Sequence, residues 1–153
     1  YKNFDLSFFF QGSLNSSFFI DAYKTSPFID TSGGAIGNNA LLSAWANDHW
    51  SENDRNLYAA WPRLSDQLID NNNRNSTWWL RDGSFLRLKS IEFGYSVPDR
   101  LASRVNLSSA RIYITGSNLF TFSKFKLWDV EMGGNGLGYP IQQGANIGVN
   151  LNF

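Results

Sequence analysis

An all-β fold, made of strands and long loops of a transmembrane antiparallel β-barrel, is what the sequence predicts, and three observations carry it. Four segments alternate apolar and polar residues with a period of two, the mark of strands whose faces meet different surroundings. Aromatic residues make up 16% of the chain and charged residues only 17%, while mean hydropathy is -0.30. A barrel wall produces that combination because lipid-facing and lumen-facing residues alternate and rings gather at the two interfaces. The last segment also ends in Asn146-x-Gly148-x-x-Leu151-x-Phe153, a strand finished by an aromatic residue.

The first segment, residues 1–12, sets Phe4, Leu6, Phe8 and Phe10 against Asn3, Asp5, Ser7 and Gln11, with Phe9 the only misfit. The second, 85–97, sets Ile91, Phe93, Tyr95 and Val97 opposite Ser90, Glu92, Gly94 and Ser96. Arg87 and Lys89 fall in phase with its apolar set, and a bulge there repairs the phase. The third, 110–122, puts Ile112, Ile114, Phe120 and Phe122 on one face with Gly116 and Asn118 between them. The fourth, 143–153, is the clearest: Ala145, Ile147, Val149, Leu151 and Phe153 alternate strictly with Gly144, Asn146, Gly148, Asn150 and Asn152. Each has roughly the 9 to 11 residues that a tilted strand needs to cross a bilayer. Ile91, Phe93, Tyr95, Ile147, Val149 and Leu151 are therefore expected to face lipid, and Ser90, Glu92, Asn146, Asn150 and Asn152 the lumen.

The connections alternate in length. Pro98 to Ser109 is short, opens with Pro-Asp turn chemistry and has room for one helical turn at Leu101 to Val105. Residues 13–84 and 123–142 are long, and barrels of this kind carry short periplasmic turns and long extracellular loops. The first long loop needs structure of its own. A short helix is expected at Leu41 to Asp48 and a polar tip at Asp70 to Asn75. Asp82-Gly83 by itself fits a hairpin turn.

The charge balance, 13 basic against 13 acidic residues, offers no footprint for nucleic acid. The absence of cysteine removes disulfide and thiolate-metal schemes. No apolar run reaches the roughly 18 residues of a membrane-spanning helix. Tyr1-Lys2-Asn3-Phe4 reads as the middle of a strand rather than a signal peptide, so residues 1–153 are expected to be a C-terminal segment of a longer protein.

Asn146, Gly148, Leu151 and Phe153 resemble the C-terminal signal by which bacterial outer-membrane proteins engage their assembly machinery. An unpaired terminal strand offers backbone donors and acceptors to another strand edge, and a terminal ring anchors it at the interface. Longer stretches resemble the SusC/RagA family of TonB-linked outer-membrane proteins: Trp79-Leu80-Arg81-Asp82-Gly83-Ser84-Phe85-Leu86-Arg87-Leu88-Lys89-Ser90-Ile91 followed by Phe93-Gly94-Tyr95, and the run from Ala110 to Phe122. Tyr139-Pro140, Asn3 to Ser7 and Gln11-Gly12 are similar to family blocks as well. At Asp82-Gly83 the resemblance implies a bend or bulge entering the second strand. The resemblance implies a plugged barrel of about 22 strands in the outer membrane of a Gram-negative bacterium, amid lipid and lipopolysaccharide. It implies import of oligosaccharides or peptides driven by the TonB complex through an N-terminal part absent from this chain, under a SusD-like surface lipoprotein lid. Recruitment of such a barrel as a structural or assembly subunit of a larger outer-membrane complex is the alternative. Neither an enzymatic centre nor a cofactor is indicated.

Within the long loops, Trp45, Trp50, Trp61, Trp78, Trp79 and Trp128 are the candidate ligand or lid contacts. Flat rings near a pore mouth either stack on sugar faces or pack the loops, the upper girdle and the lipoprotein interface. His49 with Asp48, Glu52 and Asp54 reads as a solvated loop rather than a metal site. Asp70-x-Asn72 begins like a calcium loop, but Arg74 stands where a ligand is wanted and the turn glycine is missing. Gly134-x-Gly136-x-Gly138 lacks the following helix of a phosphate cradle. The Asn15, Asn75 and Asn106 sequons read as Asn-rich loops.

Overall fold

The computed structural model describes residues 2–28 and 40–153. In chain order the elements are strands β1 (Phe4–Ser13) and β2 (Ser17–Phe19), helices α1 (Ala22–Thr25), α2 (Ser43–Asn47) and α3 (Asp70–Asn73), strands β3 (Leu80–Asp82) and β4 (Phe85–Ser96), helix α4 (Asp99–Ala102), and strands β5 (Ser109–Ser123) and β6 (Gly144–Asn152). They fall into two compact units: a sheet unit containing 84–124, 141–153 and the chain up to Leu14, and a loop unit of 15–83 and 125–140. Tyr1 and residues 29–39 lie outside the described residues, and with them the expectation of strand at Tyr1.

The sheet unit is four-stranded and antiparallel, in the order β1-β4-β5-β6. Its register sorts residues into rows that cross all four strands. Phe4, Tyr95, Ile112 and Val149 form one row and Leu6, Phe93, Ile114 and Ile147 the next. The alternate rows are polar or small: Asp5, Gly94, Tyr113 and Gly148, then Ser7, Glu92, Thr115 and Asn146. Directly opposed residues share a face, so one side of the sheet is a continuous apolar surface and the other a polar one. The apolar side is open, with Phe8 63% and Ile147 77% exposed. A contiguous apolar surface of this kind marks contact with another apolar phase. Phe4 stacks on Phe93, ring centroids 5.6 Å apart. Phe9 sits opposite Ser90 on the polar side, as its phase requires.

The phase conflict at Arg87 and Lys89 is resolved by a bulge. Register shifts between Phe9 and Phe10 on β1 and between Leu88 and Ser90 on β4, so Lys89 is passed over in both ladders. Leu88 then opposes Phe10 and Phe120 on the apolar side, and Arg87 opposes Gln11 and Thr121 on the polar side. One extra residue is the smallest change that moves a strand from one phase to the other.

The β4–β5 connection is tight. Val97 N–H donates to Ala110 O, α4 runs into a 3₁₀ turn at Ser103–Val105, and Asn106 ends it at φ 57°. Asn is the residue besides Gly that most readily takes this left-handed conformation. β1 and β6 each pair on one side only among the described residues. Four strands are too few to close on themselves.

The loop unit is held by its own small sheet, in which β2 pairs antiparallel with β3. Gly83 N–H donates to Ser16 O, making Asp82-Gly83 a bend out of β3 and not a hairpin. Asp21 N–H donates to Gly134 O, and a side chain at Gly134 would run into Phe19 O. Trp45, Trp79 and Ile20 are the largest fully buried side chains. Two expected elements differ in detail. The helix expected at Leu41 to Asp48 is the single turn of α2, and the polar tip expected at Asp70 to Asn75 is the helical turn α3. Its Asn73 points inward: Oδ1 accepts from Ser26 Oγ at 3.1 Å and Nδ2 donates to Ile69 O at 3.3 Å. A carboxamide satisfied on both ends can be buried, while Asp70, Asn71, Arg74 and Asn75 around it stay exposed.

Candidate functional site

Two groups of candidate residues take distinct positions. The terminal-strand group lies along β6. Asn146 opposes Thr115, with Nδ2 3.5 Å from its Oγ1. Gly148 opposes Tyr113, and a Cβ on Gly148 would occupy the place of the Tyr113 ring. Leu151 opposes Ala110 on the apolar side. Phe153 follows the end of β6 and is 90% exposed.

Beside Tyr113 on the polar face lies a charge cluster that composition alone does not reveal. Arg111 Nη2 bonds Asp5 Oδ2 at 2.5 Å and Glu92 Oε1 at 2.6 Å, and its guanidinium carbon lies 5.2 Å from the Tyr113 ring centroid. One cation therefore ties β1, β4 and β5 together. Gly94 leaves room for it, since a side chain there would collide with Arg111 and Asp5. The available signal was the phase of Asp5, Glu92 and Arg111, all on the polar side of their strands.

The tryptophans divide. Trp45, Trp61 and Trp79 are buried and packed in sequence: Trp45 lies 4.9 Å from Trp61, and Trp61 5.0 Å from Trp79. Trp128 meets Trp45 edge-on at 6.4 Å and Phe125 at 5.0 Å. The indole N–H groups are satisfied by carbonyls: Trp45 donates to Thr25 O, Trp79 to Asn72 O and Trp128 to Gly133 O. Trp45, Trp61 and Trp79, each 4% exposed or less, form the core of the loop unit, which is the packing alternative for flat rings in these loops. Trp50 and Trp78 are only partly covered. His49 is also accounted for, its Nδ1 lying 3.0 Å from Trp45 O and 3.1 Å from Ala46 O at the end of α2.

Trp78 forms one wall of a cleft of about 180 Å3 lined by Pro62, Asn71, Asn72, Ser76 and Trp79. Arg81 Nη1 donates to Trp78 O at 2.5 Å and to Leu80 O at 2.9 Å. Burial lowers the pKa of its guanidinium, from so high a start that the group stays charged.

An antiparallel sheet with one open apolar face, one polar face carrying an ion cluster and a folded loop unit at long connections defines a piece of a β-barrel wall with its loops. No family model matches the chain. TonB-dependent receptor P3 of Formosa agariphila is 29% identical over 132 residues, 86% of this chain and 12% of that receptor. TonB-dependent receptor P26 of the same organism is 28% identical over 168 residues, 100% of this chain and 16% of its own length. TonB-dependent receptor SusC of Bacteroides thetaiotaomicron is 29% identical over 156 residues, again 100% of this chain, and 14% of SusC. Among solved structures, the RagAB peptide importer in its "closed-closed" state matches 100% of this chain and 16% of the importer chain, with a TM-score of 0.66 and 27% identity. Its "open-open" state matches 99% of this chain, also at 0.66, with 25% identity. The chain is similar, over all or nearly all of its length, to a barrel segment of these SusC- and RagA-type proteins. It spans 12 to 16% of the length of the curated relatives it matches.

Proposed function

We propose that this chain supplies wall strands and extracellular loops of an outer-membrane TonB-dependent importer that takes up oligosaccharides, with peptides as the second substrate class. In this reading β1, β4, β5 and β6 cross the outer membrane, residues 13–84 and 123–142 lie outside the cell, and Asp99 to Asn106 faces the periplasm. A SusD-like lipoprotein closes the mouth, and the TonB complex acts on a part of the protein outside residues 1–153. No chemistry on the substrate is assigned to it.

The observation that carries the reading is the likeness to the RagAB importer over 100% of this chain, at a TM-score of 0.66. The open apolar face supports it independently, because a soluble sheet would cover that face. Deleting the gene of the complete protein and following uptake of labelled oligosaccharides and peptides tests it. Loss of uptake that returns with the complete gene, and only in cells with a working TonB complex, is expected. Unchanged uptake together with the collapse of a larger outer-membrane assembly would instead assign the barrel a structural role.

A further inference from the structure

The cleft beside Trp78 is built differently from the rest of the loop unit. Its lining of Pro62, Asn71, Asn72, Ser76, Trp78 and Trp79 contains no charged side chain. Its backbone is fixed on both sides. Trp79 Nε1–H donates to Asn72 O at 2.9 Å, Trp79 N–H to Ser76 O at 3.0 Å, and Arg81 holds the Trp78 carbonyl. The buried Trp61 ring backs Trp79. The carboxamides of Asn71 and Asn72 and the hydroxyl of Ser76, by contrast, form no hydrogen bond among the described residues. A rigid, uncharged pocket thus pairs a partly open indole with two amides and a hydroxyl that are all unspent.

That combination selects a ligand. A pyranose ring has an apolar C–H face that suits a flat aromatic wall and a rim of hydroxyls that both donate and accept, as carboxamides do. An anion or a metal ion would require charge that the lining lacks, and an extended peptide is held mainly by a strand edge, which this cleft does not present. The volume of about 180 Å3 lies below the roughly 300 Å3 at which pockets for drug-sized ligands begin, so it holds a single ring.

We propose that the Trp78 cleft is a subsite for one uncharged sugar ring of an oligosaccharide, with Trp78 stacking on the ring and Asn71, Asn72 and Ser76 bonding its hydroxyls. The proposal rests on the import reading above and names its substrate class as neutral glycan.

The test uses the complete protein in detergent with defined probes: neutral hexasaccharides of gluco, manno, galacto and xylo backbone, an oligogalacturonate and a hexapeptide. Indole fluorescence and calorimetry report binding. At least one neutral hexasaccharide is expected to bind. Trp78→Ala should weaken it about tenfold, Asn72→Ala a few-fold, and Trp78→Phe, which keeps a flat ring, should retain most of the affinity. Unchanged heat-modifiable migration of each variant separates these effects from misfolding. Equal binding by wild type and Trp78→Ala, while the saccharide is still imported, overturns the subsite and leaves the import reading intact. Binding of only the oligogalacturonate or the peptide, or of none of the probes, overturns the subsite as well. Only loss of TonB-dependent uptake for every oligosaccharide and peptide removes the import reading with it.

Discussion

The ring of Tyr113 on β5 covers the α-carbon of its register partner Gly148 on β6, filling the place a Cβ would take. An aromatic side chain laid over a cross-strand glycine shields backbone that would otherwise be bare and fixes which residue sits opposite which. The glycine of the terminal motif is thereby given a partner.

Gly148→Val should reduce the amount of complete protein reaching the outer membrane in heat-modifiable form, because the new side chain and the Tyr113 ring compete for one space. Tyr113→Ala alone should have a smaller effect. Combining the two should recover part of the loss, and a double variant as poor as Gly148→Val alone would refute the pairing. Immunoblots of outer-membrane fractions, run with and without heating, give the measurement.

Replacing Arg111 removes a cation shared by three strands. Arg111→Ala and Arg111→Lys should both lower the urea midpoint of the purified barrel, Lys by less, since an ammonium lacks the planar fork that reaches two carboxylates at once. The loss should shrink in 1 M salt, because the cluster is partly open to solvent. A salt-independent loss would point to packing on Tyr113 instead.

An arginine placed at Ile147 or Val149 should cost about 2 to 4 kcal/mol near the bilayer midplane, whereas one at Asn146 or Asn150 should be tolerated. Refolding titrations into lipid vesicles measure this directly. Spin labels at Ile147 and Val149 should report apolar surroundings at the same time, and water-accessible labels there would reverse the assigned faces.

Trp45→Ala should cost about 3 to 5 kcal/mol within the loop unit by opening the stack of Trp45, Trp61 and Trp79. Hydrogen exchange is expected to rise across 15–28 and 40–83 while β4, β5 and β6 stay protected. Uniform loss of protection would mean that the two units melt together.

How much of this was legible in the sequence depended on length and periodicity. The strict alternation of 143–153 carries β6 and its two faces, and the misplaced phase of Arg87 and Lys89 carries the bulge, since neither residue belongs on an apolar surface. The β2–β3 pairing was not legible. Three residues hold too little periodicity to register, and Ser17 meets Asp82 only through tertiary structure. The aromatic content of the long loop was visible, but composition is blind to burial, so Trp45 and Trp78 looked alike. Asp5 and Arg111 lie 106 positions apart, and their pairing follows only once the registers of β1 on β4 and β4 on β5 are both known.

The unequal connections between the sheet strands also set an order of events. β4 and β5 are joined by residues 97–108, which α4 and the left-handed Asn106 already bend back on themselves, while β1 reaches β4 only across 14–84. Loop-closure entropy grows by about 0.6 kcal/mol per doubling of length, so the longer excursion adds roughly 1.5 kcal/mol before a single ladder bond forms. β4 and β5 should therefore zip first, β6 should add to that hairpin next, and β1 should arrive last. A chain emerging in this order holds β5, with Arg111 and Tyr113 already displayed, as a template on which both flanking strands read their register.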